Sequence, residues 1–168
     1  MQRTPVSGSA VARSLPVCRP PSTPARSWEP RYPKGAAEID LMMAQRLEQQ
    51  QILDQEHPPG LHFIIDEGAL RRMVGSPKVM VQQWEHLLEA TERTHITVQV
   101  MPFSEGAHAE LADSSTLMET EFHGTIQYLE TLATGNIATN LPATALARAR
   151  FDSLATNALS EKTVRTLL

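Results

Sequence analysis

The sequence predicts an α/β domain of the mixed α+β class, in which helices pack on a mixed sheet of about four strands. Two short apolar segments, residues 61–65 and 95–101, have the composition and alternation of strands. Between them, residues 76–93 carry apolar side chains at helical spacing. Further on, residues 116–131 have the pattern of a hairpin around a His-Gly turn. This order of elements is typical of a sheet that combines parallel and antiparallel pairs.

A helix is predicted before the first strand. From residue 34 onward, apolar residues recur at three- and four-residue intervals up to His57-Pro58-Pro59-Gly60. The two prolines and the glycine must end a helix, because proline lacks the backbone donor and its ring clashes with the preceding turn. The strand at residues 61–65 follows at once.

Two capping signals place the elements between the strands. Asp66 follows the first strand and is predicted to cap a short helix that ends near Gly75. Ser76-Pro77 has the N-cap and first-turn residues of a longer helix to about Arg93. Since a helical crossover joins the two strands, they should run parallel in one sheet, with Phe63 beside Val98. Their carboxyl ends then share one edge.

The C-terminal part is predicted to be a hairpin followed by helices. Residues 116–122 and 125–131 flank the His-Gly turn as antiparallel strands. Asn140 caps a long helix, and Ser160 caps a final short one.

Residues 1–33 differ in composition from residues 34–168. The first segment holds seven prolines and five serines, and its five arginines against one acid give a net charge of +4. The remainder has 10 basic and 18 acidic side chains, a net charge of −8. With so few apolar residues, the first 33 are predicted to form a disordered tail and residues 34–168 to form the domain.

Charge and composition exclude several classes of protein. An acidic domain lacks the basic face with which nucleic-acid-binding modules neutralise phosphates, so we expect no direct DNA binding. The single cysteine cannot form an internal disulfide, the histidines lack metal-ligand spacing, and no cofactor fingerprint occurs. We therefore expect no metal and no cofactor. Since no stretch is long and apolar enough for a membrane helix, a cytoplasmic location is expected.

The best candidate site lies where the two parallel strands end. Asp66 and Glu67 follow the first strand, and the loop "PFSEGAHAE", residues 102–110, follows the second. Open α/β sheets place ligands at such an edge. The candidate ligand- or partner-binding residues here are Asp66, Glu67, Arg71, Gln99, Phe103 and His108.

Two interpretations of this edge remain open. In one, the carboxylates only cap a helix and the edge binds a ligand or partner without chemistry. In the other, the chain is a small biosynthetic enzyme, with Glu67 or Glu105 as the base and His108 as the acid. No spacing in the sequence enforces the approach of these three residues.

An ordered series of motifs resembles the C-terminal domain of actinobacterial antitoxin-like regulators that begin with an Xre-type helix-turn-helix. The series comprises "RLEQQQIL" at 46–53, "IIDEGALRRMVGSPKVMVQQWEHLLEA" at 64–90 and "ITVQVMPFSEGAHAEL" at 96–111. Later, "TIQYLET" and "NALSEKTVRTLL" are similar to the closing strand and helix of that family. The resemblance covers about residues 38–168.

The resemblance implies a non-enzymatic effector or partner-binding domain related to transcription regulators. The partner that it implies is a small protein encoded nearby, and we expect an intact regulator or a small molecule as the alternatives. A homodimer is also expected, because the absence of the family's Leu-Leu-Gln-Thr segment leaves apolar surface uncovered. The chain has neither the helix-turn-helix of the family nor its Leu-Leu-Gln-Thr segment. It also has Gln49 where the family prefers arginine, and "AHAELADSS" after residue 106 where the family has a glycine-rich segment. These departures predict a domain without its own DNA-binding head.

Overall fold

A computed structural model of the chain describes residues 6–12, 36–108, 114–130 and 135–167. The chain forms helices and strands in the order β1 (Val6–Ala12), α1 (Ala36–Gln50), a 3-10 turn (Gln51–Asp54), β2 (Leu61–Asp66), α2 (Glu67–Arg71), α3 (Pro77–Thr91), β3 (Ile96–Met101), a second 3-10 turn (Phe103–Glu105), β4 (Ser114–Thr120), β5 (Gly124–Glu130), β6 (Gly135–Ala138), α4 (Leu141–Asn157) and α5 (Glu161–Leu167). The mixed α+β class predicted from the sequence is confirmed.

The strands form one mixed sheet in the order β3-β2-β1-β4-β5-β6. Strands β2 and β3 are parallel, and their register places Phe63 beside Val98, as predicted. Strands β4, β5 and β6 are antiparallel to one another. Between these two groups lies β1, which is parallel to β2 and antiparallel to β4.

The sheet has six strands among the described residues, two more than the sequence indicated. The prediction of a disordered tail is wrong for Val6–Ala12, which is a strand, while residues 13–33 lie outside the described part of the chain. Backbone groups on both sides of β1 pair with its neighbours, so its place in the sheet does not depend on an apolar sequence pattern. The second strand that was missed, β6, is only four residues long.

Two apolar cores lie on the two faces of the sheet. On one face, β2 and β3 pack against α2, α3 and α5 through Phe63, Ile65, Leu70, Leu87, Ala90, Ile96, Val98, Val100 and Val164. On the other face, α4 packs on the sheet through Ile64, Met101, Leu117, Ala147, Phe151 and Leu154. Because side chains alternate along a strand, β2 and β3 contribute to both cores and are buried on both faces. This burial fixes their carboxyl ends.

Candidate functional site

The candidate site lies at the carboxyl ends of β2 and β3. Asp66 is aligned with Met101 in the parallel register, so the segments that follow the two strands start from the same edge. Helix α2 begins directly at Glu67, and the second 3-10 turn begins at Phe103. We call Asp66, Glu67, Arg71, Phe103 and His108 the rim site.

Glu67 connects the two segments of the rim site. Its side chain is buried, and one carboxylate oxygen accepts a hydrogen bond from the backbone N–H of Phe103 at 2.7 Å. The other oxygen accepts from Nε of Arg71, one helical turn further on. The carboxylate therefore ties the turn after β3 to the helix after β2, across 36 positions of sequence.

These contacts change the acidity of Glu67. The hydrogen bond from the Phe103 backbone lowers the pKa of the Glu67 carboxyl below its ordinary value of 4.5, and the pairing with Arg71 lowers it further. Burial acts in the opposite direction, because desolvation disfavours the charged form, but it does not prevail. Glu67 is consequently a carboxylate at neutral pH, with both oxygens in use.

Asp66 caps helix α2 and lies beside His108. One oxygen of Asp66 accepts a hydrogen bond from the backbone N–H of Gly68 at 2.7 Å, which is the predicted N-cap contact. Its second oxygen lies 3.6 Å from Nε2 of His108, an ion-pair distance that is too long for a hydrogen bond. The His108 side chain is only 11% exposed, and neither ring nitrogen has a hydrogen-bond partner among the described residues.

Phe103 is an exposed aromatic side chain on a fixed backbone. It is 59% exposed, although its N–H is bound by the buried Glu67 carboxylate. The ring lies over Gly68, where an added Cβ would be 3.5 Å from the ring edge and 2.6 Å from the capping oxygen of Asp66. The Phe103 ring therefore lies beside the first turn of α2 while most of its surface faces solvent.

Five of the six predicted binding residues meet at the rim site, and Gln99 does not join them through any described contact. Its Oε1 pairs with Nε2 of His62 at 2.7 Å, and its Nε2 donates to the carbonyl of Ala155 at 3.1 Å. Strand alternation turns Gln99 toward the face covered by α4. Its contacts fasten the end of α4 to the sheet.

The three residues of the enzyme interpretation do not form an assembled acid/base group through the described contacts. Glu67 is bound to Phe103 and Arg71, whereas His108 lies beside Asp66. Glu105 is on the same 3-10 turn as Phe103, but its side chain is exposed. In the described ranges there is no group of three or more His, Cys, Asp or Glu residues placed to hold a metal ion.

Sequence reasoning missed Gly68, which allows the capping oxygen of Asp66 to approach the start of α2. A glycine in the first turn of a helix, directly after two acidic residues, was the available signal. Glycine is unfavourable inside a helix, so its presence there suggests a close approach by another group.

The fold and the rim site define a mixed α+β domain whose sheet edge carries both charged side chains and an exposed aromatic ring. The chain belongs to the family described as Domain of unknown function (DUF5753), whose model matches residues 25–168. The match starts within the segment that was predicted to lie outside the domain. No curated protein and no solved structure matches the chain. Within the described residues, no helix has the length and apolar character needed to cross a membrane.

Proposed function

We propose that this chain is a non-enzymatic domain that binds a protein partner at the rim site and takes part in transcription regulation without contacting DNA itself. The motif series that resembles antitoxin-like Xre-type regulators supports the regulatory part of the proposal. The partner that this resemblance implies is a small protein encoded nearby, and an intact regulator is the second candidate partner. We expect a protein with this role to be located in the cytoplasm.

The exposed ring of Phe103 is the observation that carries the proposal. An exposed aromatic side chain is a strong anchor for a protein partner when its position is fixed, because binding then costs little conformational entropy. The hydrogen bond from its N–H to Glu67 holds the backbone of Phe103, and its ring lies beside Gly68. An aromatic side chain that projects from the surface fits into a pocket on a protein partner. A small molecule instead needs a concave site that encloses it, and a projecting ring does not form one.

The state of Glu67 argues against the enzyme interpretation. A general base works best when its pKa lies near the working pH, and enzymes usually raise the pKa of a carboxylate for this task. Here the Phe103 N–H lowers the pKa of Glu67. Both oxygens are also occupied, which favours a structural carboxylate over a base.

The charge of the domain favours a protein over a nucleic acid as the partner. Residues 34–168 carry 10 basic against 18 acidic side chains. A surface with this balance repels phosphate groups and does not release the counterions that drive binding to DNA.

Partner binding can be tested by calorimetric titration of the purified chain with each of two candidates, the product of the adjacent reading frame and a full-length helix-turn-helix relative from the same genome. The variant Phe103→Ala removes the exposed ring. The matched control is Phe122→Ala, because Phe122 is 79% exposed in the turn between β4 and β5. We expect at least one candidate to bind, and Phe103→Ala to raise its Kd by at least about tenfold, as loss of a binding anchor does. The Phe122→Ala variant should bind like the wild type.

The proposal is wrong if neither candidate binds, or if the two variants weaken binding equally. The enzyme alternative has its own test, the double variant Glu105→Gln with His108→Gln, which leaves the structural carboxylate of Glu67 in place. If this variant abolishes the output of a biosynthetic pathway while the protein stays folded, the enzyme interpretation replaces ours.

A further inference from the structure

The two edges of the sheet differ in how they are covered. At the β3 edge, the N–H of Leu159 donates to the carbonyl of Val100 at 2.8 Å, so the chain's own C-terminal segment meets this strand at an isolated bridge. At the opposite edge, β6 pairs with β5 on one side. Among the described residues, no strand pairs with its other side.

Strand β6 is short, at four residues, but it has no charged side chain and no proline of its own. Natural proteins discourage pairing at sheet edges with very short strands, charged side chains, proline or bulges. Residues 135–138 are Gly-Asn-Ile-Ala, and the next four residues, Thr-Asn-Leu-Pro, are also uncharged. Within the strand, Ile137 is 70% exposed.

An apolar strip leads across the sheet to this edge. Alternation places Leu117 on the face packed by α4, so Met118 lies on the opposite face, and Ile126 is its neighbour in register. On the same face, Tyr128 is aligned with Ile137, and its ring lies so close to Gly135 that an added Cβ would be 2.5 Å from the hydroxyl. The strip therefore ends at the exposed side chain of Ile137.

We propose that two copies of this chain associate through β6, with the two strands antiparallel and Ile137 facing Ile137 across a two-fold axis. A two-fold axis normal to the sheet keeps each face continuous, so the apolar strips of both copies join at this point. Directly opposed residues lie about 4.5–5.5 Å apart, which brings the two isoleucines into contact.

The charge pattern favours a second copy as the occupant of this edge. A partner that binds through opposite charge needs an acidic or basic edge, and residues 135–142 contain no charged side chain. The whole chain carries a net charge of −4, so two copies repel each other, and an uncharged edge adds nothing to that repulsion. A copy also supplies a strand of equal length that continues the antiparallel pattern of β4, β5 and β6.

This interface lies at the opposite edge of the sheet from β2 and β3 and does not depend on the proposed function of the rim site. The test is sedimentation equilibrium of the full chain over a range of concentrations. We expect the wild type to approach twice the chain mass of 18.6 kDa as the concentration rises. Ile137→Lys should remain a monomer, because it places two like charges opposite each other. Val81→Lys, at another exposed apolar position on α3, should dimerise like the wild type.

Disulfide trapping checks the register and does not rely on the stability of the lysine variant. In a Cys18→Ser background, Ile137→Cys should cross-link under mild oxidation, since opposed Cα atoms fall within the distance a disulfide spans. Thr139→Cys should not cross-link to itself, because in that register the Cα atoms of the two residues at position 139 lie about 14 Å apart. A wild-type monomer at all concentrations, an Ile137→Lys dimer, or equal trapping at both positions would overturn the proposal.

Discussion

The buried carboxylate of Glu67 offers the sharpest test of how the rim site is held together. Glu67→Ala removes the acceptor of the Phe103 N–H, the partner of Arg71 and an acidic side chain at the start of α2. A hydrogen bond to a charged group contributes about 1.5–3 kcal/mol. The Arg71 side chain is 61% exposed, so its ion pair adds only about 0.2–1 kcal/mol. Acid placement at the helix start adds about 0.3–1 kcal/mol.

Together these contributions predict a loss of about 2–5 kcal/mol in the free energy of unfolding for Glu67→Ala. A loss of 3 kcal/mol corresponds to a drop of about 6–12 °C in Tm for a domain of this size. Glu67→Gln keeps an oxygen acceptor but loses the charge, and since charge-assisted hydrogen bonds are about twice as strong as neutral ones, it should lose about 1–2 kcal/mol. Denaturant unfolding followed by circular dichroism measures both values.

The pH dependence gives an independent check. The pKa of Glu67 is lower in the folded protein than its ordinary value of 4.5, so the carboxylate stabilises the fold above that pH. This contribution is lost as the pH falls from there through the lowered folded pKa. The stability difference between wild type and Glu67→Gln should therefore be largest near neutral pH and shrink in acid. The control Glu85→Gln, at an exposed position on α3, should change stability by less than about 0.5 kcal/mol at every pH. A Glu67→Gln variant as stable as this control at neutral pH would refute the reasoning.

Three further substitutions test other parts of the fold by chemical denaturation. Asp66→Ala removes the cap on the N–H of Gly68 and should cost about 1 kcal/mol, whereas Asp66→Asn should retain most of it; equal losses would contradict the capping role. Gln99→Leu breaks the bond to the carbonyl of Ala155 and should cost about 1–3 kcal/mol, while unchanged stability would show that this contact does not fasten α4. Leu87→Ala, at a fully buried core position, should cost about 2–5 kcal/mol, and a loss below 1 kcal/mol would show that the core there is not closely packed.

The sequence by itself determined the local elements of the domain. The four predicted helix caps are confirmed, because a cap depends on residues only two or three positions apart. Two caps lie between the strands β2 and β3, where Asp66 accepts from Gly68 and Ser76 accepts from Val79. The other two begin the last helices, where Asn140 accepts from Ala143 and Ser160 accepts from Thr163. The parallel pairing of β2 and β3 also followed from the sequence, since strands joined by a helical crossover run in the same direction.

Only the tertiary structure decided how these elements meet. The carboxylate of Glu67 binds a backbone N–H at Phe103, and a backbone donor leaves no signature in the residue type. Gln99 faces α4 because of its position in β3, although its sequence neighbours lie close to the rim. Strand β1 lies between β2 and β4 through backbone pairing on both sides, in a segment whose composition indicates disorder. Each of these contacts joins distant parts of the chain and has a backbone group as at least one partner, so residue pattern alone could not reveal them.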